Sequence, residues 1–477
     1  IRWNKNADGG SRVRVTPQLI RVSDATHLWA ERYDRVLEDI FTVQSDIAEQ
    51  IIEQLGITML ARERETVEAK PTENLLAYEA YLRGLNQMSR AGSIEEFWRN
   101  AETLFQQAVT LDSIFALAHA RLATVHSELY FWGYDRTDGR LAKCKAAADR
   151  ALMLQPDLPE AHMALGSYYY SCFFDYDRAL KEYAIAAKSM PNSPELLEAI
   201  AYIWRRQGLF DEAIGYLEMA ATLDPANFWF FLQIGLTHSI MRNYAEAERY
   251  LDRSLELNPE QGAAYYIKSL SSLLWTGDVD RAKAVLELTP HQSAPIIITF
   301  FVFLHIYEGD YQSAIERAAE IPVGLVDWAT EITPRDLLVG IAYMLMGEPE
   351  KAHAAFDSAQ VLLEAAVREQ PEAGTVHSAL GVAYAGLGRR DDAIREGQKG
   401  VELDDHDAIR IKEREWDLAT IYLLLGEHDK ALDHIDHLMS VPSFVSVPFL
   451  KIHPMLDSLR DNLRFQKILE KYSGDAS

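Results

Sequence analysis

Cysteine is nearly missing from this chain: 477 residues hold two, Cys144 and Cys172. A disulfide framework is therefore excluded as the source of stability. The two thiols could meet, being in neighbouring copies of the repeat described below, but two small buried hydrophobes is the plainer reading. Long apolar runs are missing as well. A membrane span needs about 20 apolar residues, and the longest candidate, Ala294 to His305, falls short and reads as a buried helix. Basic charge is scarce, with 47 Lys and Arg against 72 Asp and Glu, for a net charge of -25. Such a field repels phosphate backbones and lipid headgroups, so nucleic acid is not expected as a partner, nor direct membrane insertion. The first residues, Ile1-Arg2-Trp3, lack a Met and read as mid-strand, from which an upstream segment is expected.

Chemistry-bearing motifs are equally sparse. There is no phosphate loop, no dinucleotide glycine fingerprint, no His-Glu-x-x-His and no Gly-x-Ser-x-Gly elbow. His434 and His437, beside Asp433 and Asp436, could pinch a metal, but the wet face of an amphipathic helix explains them better. Asp404, Asp405 and Asp407 lack the glycine and terminal Glu of a calcium loop and read as helix capping and solvation. No catalytic residue, cofactor or metal is called for.

What is present is a period. The chain is 48% hydrophobic, ample for a packed core, and its apolar phrases repeat. Pro191, Pro225 and Pro259 are spaced 34 and 34, each closing a similar phrase, with Ala151 to Pro156 an earlier copy. Small residues recur 12 apart as Ala201/Ala213, Gly235/Ala247, Gly340/Ala352, Gly381/Ala393 and Ala419/Ala431. Two antiparallel helices that cross closely need small residues at the crossing and a tight turn between them. Gly208, Gly277, Gly309, Gly347, Gly388 and Gly426 stand where that turn would be. Asp or Glu followed by Ala opens the second helix, and proline ends it. A single hairpin cannot bury its apolar faces, so neighbours must stack.

Together with the aromatics Tyr169, Trp204, Tyr343, Tyr384 and Tyr422, three residues after the small position, these residues resemble the tetratricopeptide repeat family. The resemblance implies an all-α fold, an α-solenoid winding as a right-handed superhelix of helical hairpins, with a small N-terminal α/β fragment. About ten units are expected over residues 74–439, irregular between 289 and 370. Insertions fall at Ala91 to Phe97 and Phe131 to Arg140, and the helix after Ala352 should run long, to Glu369. Residues 440–477 should form a capping helix, similar to the closing helix of bacterial tetratricopeptide repeat proteins.

The first residues differ in kind. Arg12 to Val22 alternates like a strand, Ser23 to Thr26 is turn chemistry, and His27 to Tyr33 reads as the partner strand. Strands are expected to stop near residue 35, and Phe41 to Arg64 has helical periodicity with Ile47, Ile51, Ile52 and Leu55 on one face. Residues 1–70 look like the C-terminal part of a TolB-like α/β domain. That resemblance implies a bacterial multidomain regulator carrying an upstream cyclase, Ser/Thr kinase or winged-helix module.

In the resembled family the first helix of each hairpin lines a concave groove that holds protein ligands. The corresponding positions here are Met163 and Ser167, Glu198 and Tyr202, Leu232 and Leu236, Tyr266 and Leu270, Leu337 and Ile341, Ser378 and Val382, with Tyr170 beside them. Only Arg205 and Arg206 are basic along the stretch, so the Lys, Asn and Arg clamp for a terminal carboxylate is not supported. The expected occupant is a protein segment with apolar anchors, a second copy of the chain being one candidate. Inter-repeat core is the competing reading for many of these rings. The function implied is a non-catalytic protein-interaction scaffold, the alternative being the non-catalytic part of a cyclase or kinase. The compartment is read as cytoplasmic, or periplasmic if a membrane span precedes residue 1.

Overall fold

The computed structural model describes residues 2–5, 11–21, 26–36, 40–54, 70–91, 95–322, 327–328, 331–332 and 334–474. They divide into two compact units, residues 1–128 with 138–165, and residues 129–137 with 166–477.

The first unit opens with strands. Ser11–Val15 pairs antiparallel with both Arg2–Lys5 and Tyr33–Val36, while Gln18–Arg21 pairs with Thr26–Ala30 in a separate two-stranded sheet. The single strand expected over residues 12–22 is thus two strands in two sheets. The break falls at Thr16 and Pro17, where proline has no N–H for a ladder, and the Pro17 carbonyl accepts from the Glu31 amide at 3.3 Å. The helix Ile40–Gln54 follows, with Ile47, Ile51 and Ile52 half-buried; Leu55 and the rest of the expected helix lie outside the described residues.

Helices then follow in hairpins. Leu75–Ala91 packs on Glu95–Leu111, with Phe105 fully buried against Tyr81. Ala116–Phe131 precedes Asp138–Leu154, whose buried Arg140 donates to Glu102 at 2.6 Å. Pro159–Phe173 and Tyr176–Ala186 come next. In the second unit the pairs are Pro194–Arg206 with Phe210–Leu223, Phe228–Ile240 with Tyr244–Leu257, Gly262–Thr276 with Val279–Glu287, and Pro295–Glu308 with Tyr311–Ala318. Arg335–Leu345 with Pro349–Glu369, Gly374–Gly386 with Arg390–Leu403, and Arg410–Leu424 with His428–Ser440 complete them. The helix Val447–Ile452, a 3-10 turn at Pro454–Leu459 and the helix Leu463–Tyr472 close the chain.

Local chemistry explains these boundaries. Ser193, Asp278 and Asp310 cap their helices, each side chain accepting from an amide three residues on. The small residues do what their spacing requires. A Cβ added at Gly235 would lie 2.7 Å from Leu251, at Gly340 2.8 Å from Phe356, and at Gly381 2.7 Å from Ile421 and 2.9 Å from the Ala393 carbonyl. The long helix does run to Glu369. One expectation fails: Asp327–Trp328 and Glu331–Ile332 form a short antiparallel ladder far beyond residue 35. It sits in the connection between two hairpins, where no helical period exists to oppose extended pairing.

Candidate functional site

Every described hairpin turn of the second unit places one residue at positive φ. Gly208, Gly277, Gly309, Gly347, Gly388 and Gly426 take it, as their spacing predicts, with φ between 68 and 81°. Two turns depart from the rule, with Phe174 at φ 52° and Arg242 at φ 63°. A non-glycine residue there costs about 1–2 kcal/mol, so its side chain should have a use.

The turns at 174, 208, 242 and 277 are consecutive, and all four meet the same distant stretch, residues 404–452. The Arg410 guanidinium sits 4.1 Å from the Phe174 ring centre, and His406 lies 6.0 Å from it. The Ala408 amide donates to the Arg206 carbonyl at 2.7 Å, and a Cβ at Gly208 would lie 3.4 Å from that of Ala408. Arg242 donates to the carbonyls of Leu438 (2.7 Å), Val445 (2.8 Å), Val441 (2.9 Å) and Met439 (3.2 Å), and to Ser443 Oγ at 3.0 Å. It thereby satisfies carbonyls at the end of the helix His428–Ser440 that the helix itself cannot. A Cβ at Gly277 would be 3.1 Å from the Pro448 carbonyl, and Ser446 Oγ donates to the Leu274 carbonyl. Added Cβ atoms at Gly309, Gly347, Gly388 and Gly426 meet nothing within 4 Å among the described residues. The two strained turns are therefore among the four that enter this seam.

A buried polar cluster anchors one end of it. Arg206 Nη1 pairs with Asp407 Oδ2, and its Nε donates to Tyr170 OH at 2.8 Å. Tyr176 OH also donates to Asp407 Oδ2, at 3.2 Å, while Asp407 Oδ1 accepts from the amides of Ile409 and Arg410. Burial pushes the Asp407 carboxyl up, but Arg206 and Arg410 more than offset it and hold the group below its ordinary value. Burial, reinforced by Asp407, raises the Tyr176 phenol far above its usual range. The Arg206 guanidinium lies 5.8 Å from the rings of Phe131, Tyr170 and Phe174.

Arg205, beside it, is treated differently. Its Nη1 donates to Gln233 Oε1 at 2.9 Å and Thr237 Oγ1 at 3.3 Å, and its Nε has no acceptor. No carboxylate lies within 4.0 Å of it among the described residues, although its side chain is buried. Burial accordingly lowers its pKa.

The remaining groove candidates mostly pack within the chain. Met163 is half-buried and belongs to the first unit. Tyr170, Arg205, Arg206 and Leu232 are buried. Tyr202 OH donates to Glu198 and accepts from Trp229 Nε1, and its ring stacks 6.5 Å from Tyr170. Tyr266 meets Phe300 edge-on at 5.1 Å, while Leu236 and Leu270 are half-buried against the core. Phe174, Arg242, Asp407 and Arg410 were missed as site residues. The signal lay in the turn period: positions 174 and 242 stand 34 residues to either side of Gly208 yet carry no glycine. His434 stacks on Tyr422 at 5.7 Å and His437 Nδ1 lies 3.1 Å from Glu415. Both cysteine side chains are buried, and Cys144 Sγ donates to the Ala123 carbonyl at 3.3 Å.

Residues 175–228 and 340–408 match one model of the tetratricopeptide repeat, and residues 230–261 match a second. The matched hairpins are tetratricopeptide repeats. A protein of Rhizobium meliloti named "Putative adenylate cyclase 3" is 28% identical over 156 residues, covering 32% of this chain and 26% of that protein. The "BBSome complex member BBS4" of Xenopus tropicalis is 26% identical over 163 residues, covering 33% and 31%. The chain thus spans under a third of the length of these curated relatives. Among solved structures, Pseudomonas aeruginosa pilF aligns with a TM-score of 0.33 and 21% identity, covering 42% of this chain and 91% of that one. Human IFIT1 in a dimer with PPP-AAAA aligns at 0.40 and 16%, covering 75% and 77%. Among the described residues no helix is long and apolar enough to cross a membrane, and no group of three or more His, Cys, Asp or Glu is placed to hold a metal ion.

Proposed function

We propose that this tetratricopeptide repeat chain is a protein-interaction scaffold that does no chemistry of its own and forms the sensory or assembly part of a bacterial regulator. Residues 1–70 are read as the tail of a TolB-like domain. The observation that carries the reading is the row of half-buried side chains Tyr202, Leu236, Tyr266 and Leu270 on successive first helices. A row of that kind gives apolar footholds at hairpin spacing, which suits a partner segment with aliphatic or aromatic anchors. The net charge of -25 favours a neutral or basic periphery on that partner. A photo-crosslinking residue at position 266 of the intact protein should trap a second polypeptide, another copy included. Crosslinks confined to the same chain would count against the scaffold.

A second reading is favoured by the similarity to the protein named an adenylate cyclase: the chain is then the non-catalytic portion of an enzyme. Cyclase and kinase assays on the product of the intact open reading frame decide between them.

A further inference from the structure

The seam holds an acidic loop against a basic site in the manner of a ligand in a receptor. Residues 404–409 lie between the helices Arg390–Leu403 and Arg410–Leu424, and the loop delivers Asp407 to Arg206, which lies 201 residues away. The receiving side consists of two adjacent buried guanidiniums, Arg205 and Arg206, with the phenols of Tyr170 and Tyr176. One of the two arginines has its carboxylate. The other has the neutral oxygens of Gln233 and Thr237 and the Tyr202 ring at 5.2 Å but no carboxylate within 4.0 Å among the described residues, and its Nε is unsatisfied. A buried guanidinium without a carboxylate is an expensive arrangement, so the site has capacity for more acid than the chain supplies.

From this we infer that Arg205 and Arg206 form a receptor for an acidic peptide segment, occupied within the chain by the loop of residues 404–409 as an internal ligand. A partner presenting two acidic side chains would replace Asp407 on Arg206 and add a carboxylate to Arg205. This rests on the scaffold reading and adds to it a second, charge-selective station beside the apolar row. The chain's overall negative charge does not forbid it, because exposed charges beyond about 8–10 Å are screened at physiological salt. The charged groups facing Arg205 and Arg206 at short range are Asp407 and Arg410, with Asp404 at 3.9 Å from Arg410.

The test uses the whole chain and a labelled decapeptide of its own sequence from Val401 to Arg410 as the probe, followed by fluorescence anisotropy. Asp407→Asn, which removes the counter-charge from Arg206, should bind the probe at least about tenfold more tightly than the unaltered chain, since the competing internal ligand is weakened. Adding Arg205→Met should lose about tenfold of that affinity, an effect that a merely structural Arg205 would not show. Asp407→Asn that is folded by circular dichroism yet binds no better than the unaltered chain would overturn the proposal. Should that variant not fold, hydrogen exchange on the unaltered chain decides. Excess probe should speed exchange of the Ala408 amide, and unchanged exchange would overturn the proposal equally. The crosslink at position 266 does not depend on Asp407, so loss of either result leaves the other interpretable.

Discussion

Removing the Asp407 carboxylate tests the seam most directly. In Asp407→Ala the Arg206 guanidinium stays buried with no counter-charge, a situation that costs about 3–5 kcal/mol. The amides of Ile409 and Arg410 lose their shared acceptor, worth about 1 kcal/mol, and the Tyr176 hydroxyl loses its own. These terms overlap, so about 4–6 kcal/mol is expected in all. Arg206→Met alone should cost less, about 2–3 kcal/mol, because Asp407 keeps its amide donors and Arg410 at 3.8 Å. The double variant Arg206→Met/Asp407→Leu removes both charges and should fall well short of the sum, a coupling of at least about 2 kcal/mol. Urea denaturation followed by circular dichroism gives the three differences. Breaking the seam should also broaden the transition, since stacked repeats without a long-range tie unfold less cooperatively. A loss below about 1 kcal/mol in Asp407→Ala, or additive effects in the double variant, would refute the claim that this pair is buried and coupled.

Three further outcomes follow from the structure. Gly381→Leu would push side-chain carbons into Ile421 and the Ala393 backbone, lowering stability by about 1–3 kcal/mol or more in thermal melts. Arg242→Gly relieves a strained turn but removes the donors to residues 438–445; a net loss of about 2 kcal/mol is expected, and faster hydrogen exchange near Ser443 should accompany it. His453 lies among the rings of Tyr307, Trp416 and Phe449 at 5.2–5.4 Å. Burial, with the Arg460 charge nearby, pushes its pKa down to about 3. The ring is neutral when folded and gains a proton when unfolded below about pH 6.5, so its contribution is full above that pH and falls as pH drops toward 3. His453→Leu should therefore gain about 2 kcal/mol relative to the unaltered chain between about pH 7 and pH 5, measured by urea melts at each pH.

The repeat was legible in the sequence because its signals are local. Spacings of 12 and 34, a glycine at most turns and a proline after several second helices arise within one repeat, and Gly235, Gly340 and Gly381 do mark close helix crossings. The two-sheet arrangement near the start was legible in principle, since Pro17 stood in the middle of the apparent strand. The candidate site was less so. Asp407 reads as a solvated helix cap; its side chain does accept from the amides of Ile409 and Arg410, but it is buried, and nothing near it in the sequence announces Arg206. Tyr170 and Tyr202 read as ligand-facing rings because the period shows which helix they are on and says nothing of what covers them. Contacts over some 200 residues leave only an indirect trace, here the missing glycines at 174 and 242.

The seam also constrains the order in which the chain can be made. Hairpins built from neighbouring helices have short loops to close and can form as the polypeptide emerges. The turns at Phe174, Gly208, Arg242 and Gly277 cannot meet their partners until residues 404–452 exist, roughly two hundred positions later. During that interval Arg206 has no Asp407, and the strained φ of Arg242 has nothing to offset it. A ribosome pausing before Asp404 would hold a chain whose hairpins are formed and whose basic site is open, the one stage in its life when that site must be exposed to whatever acid is nearby.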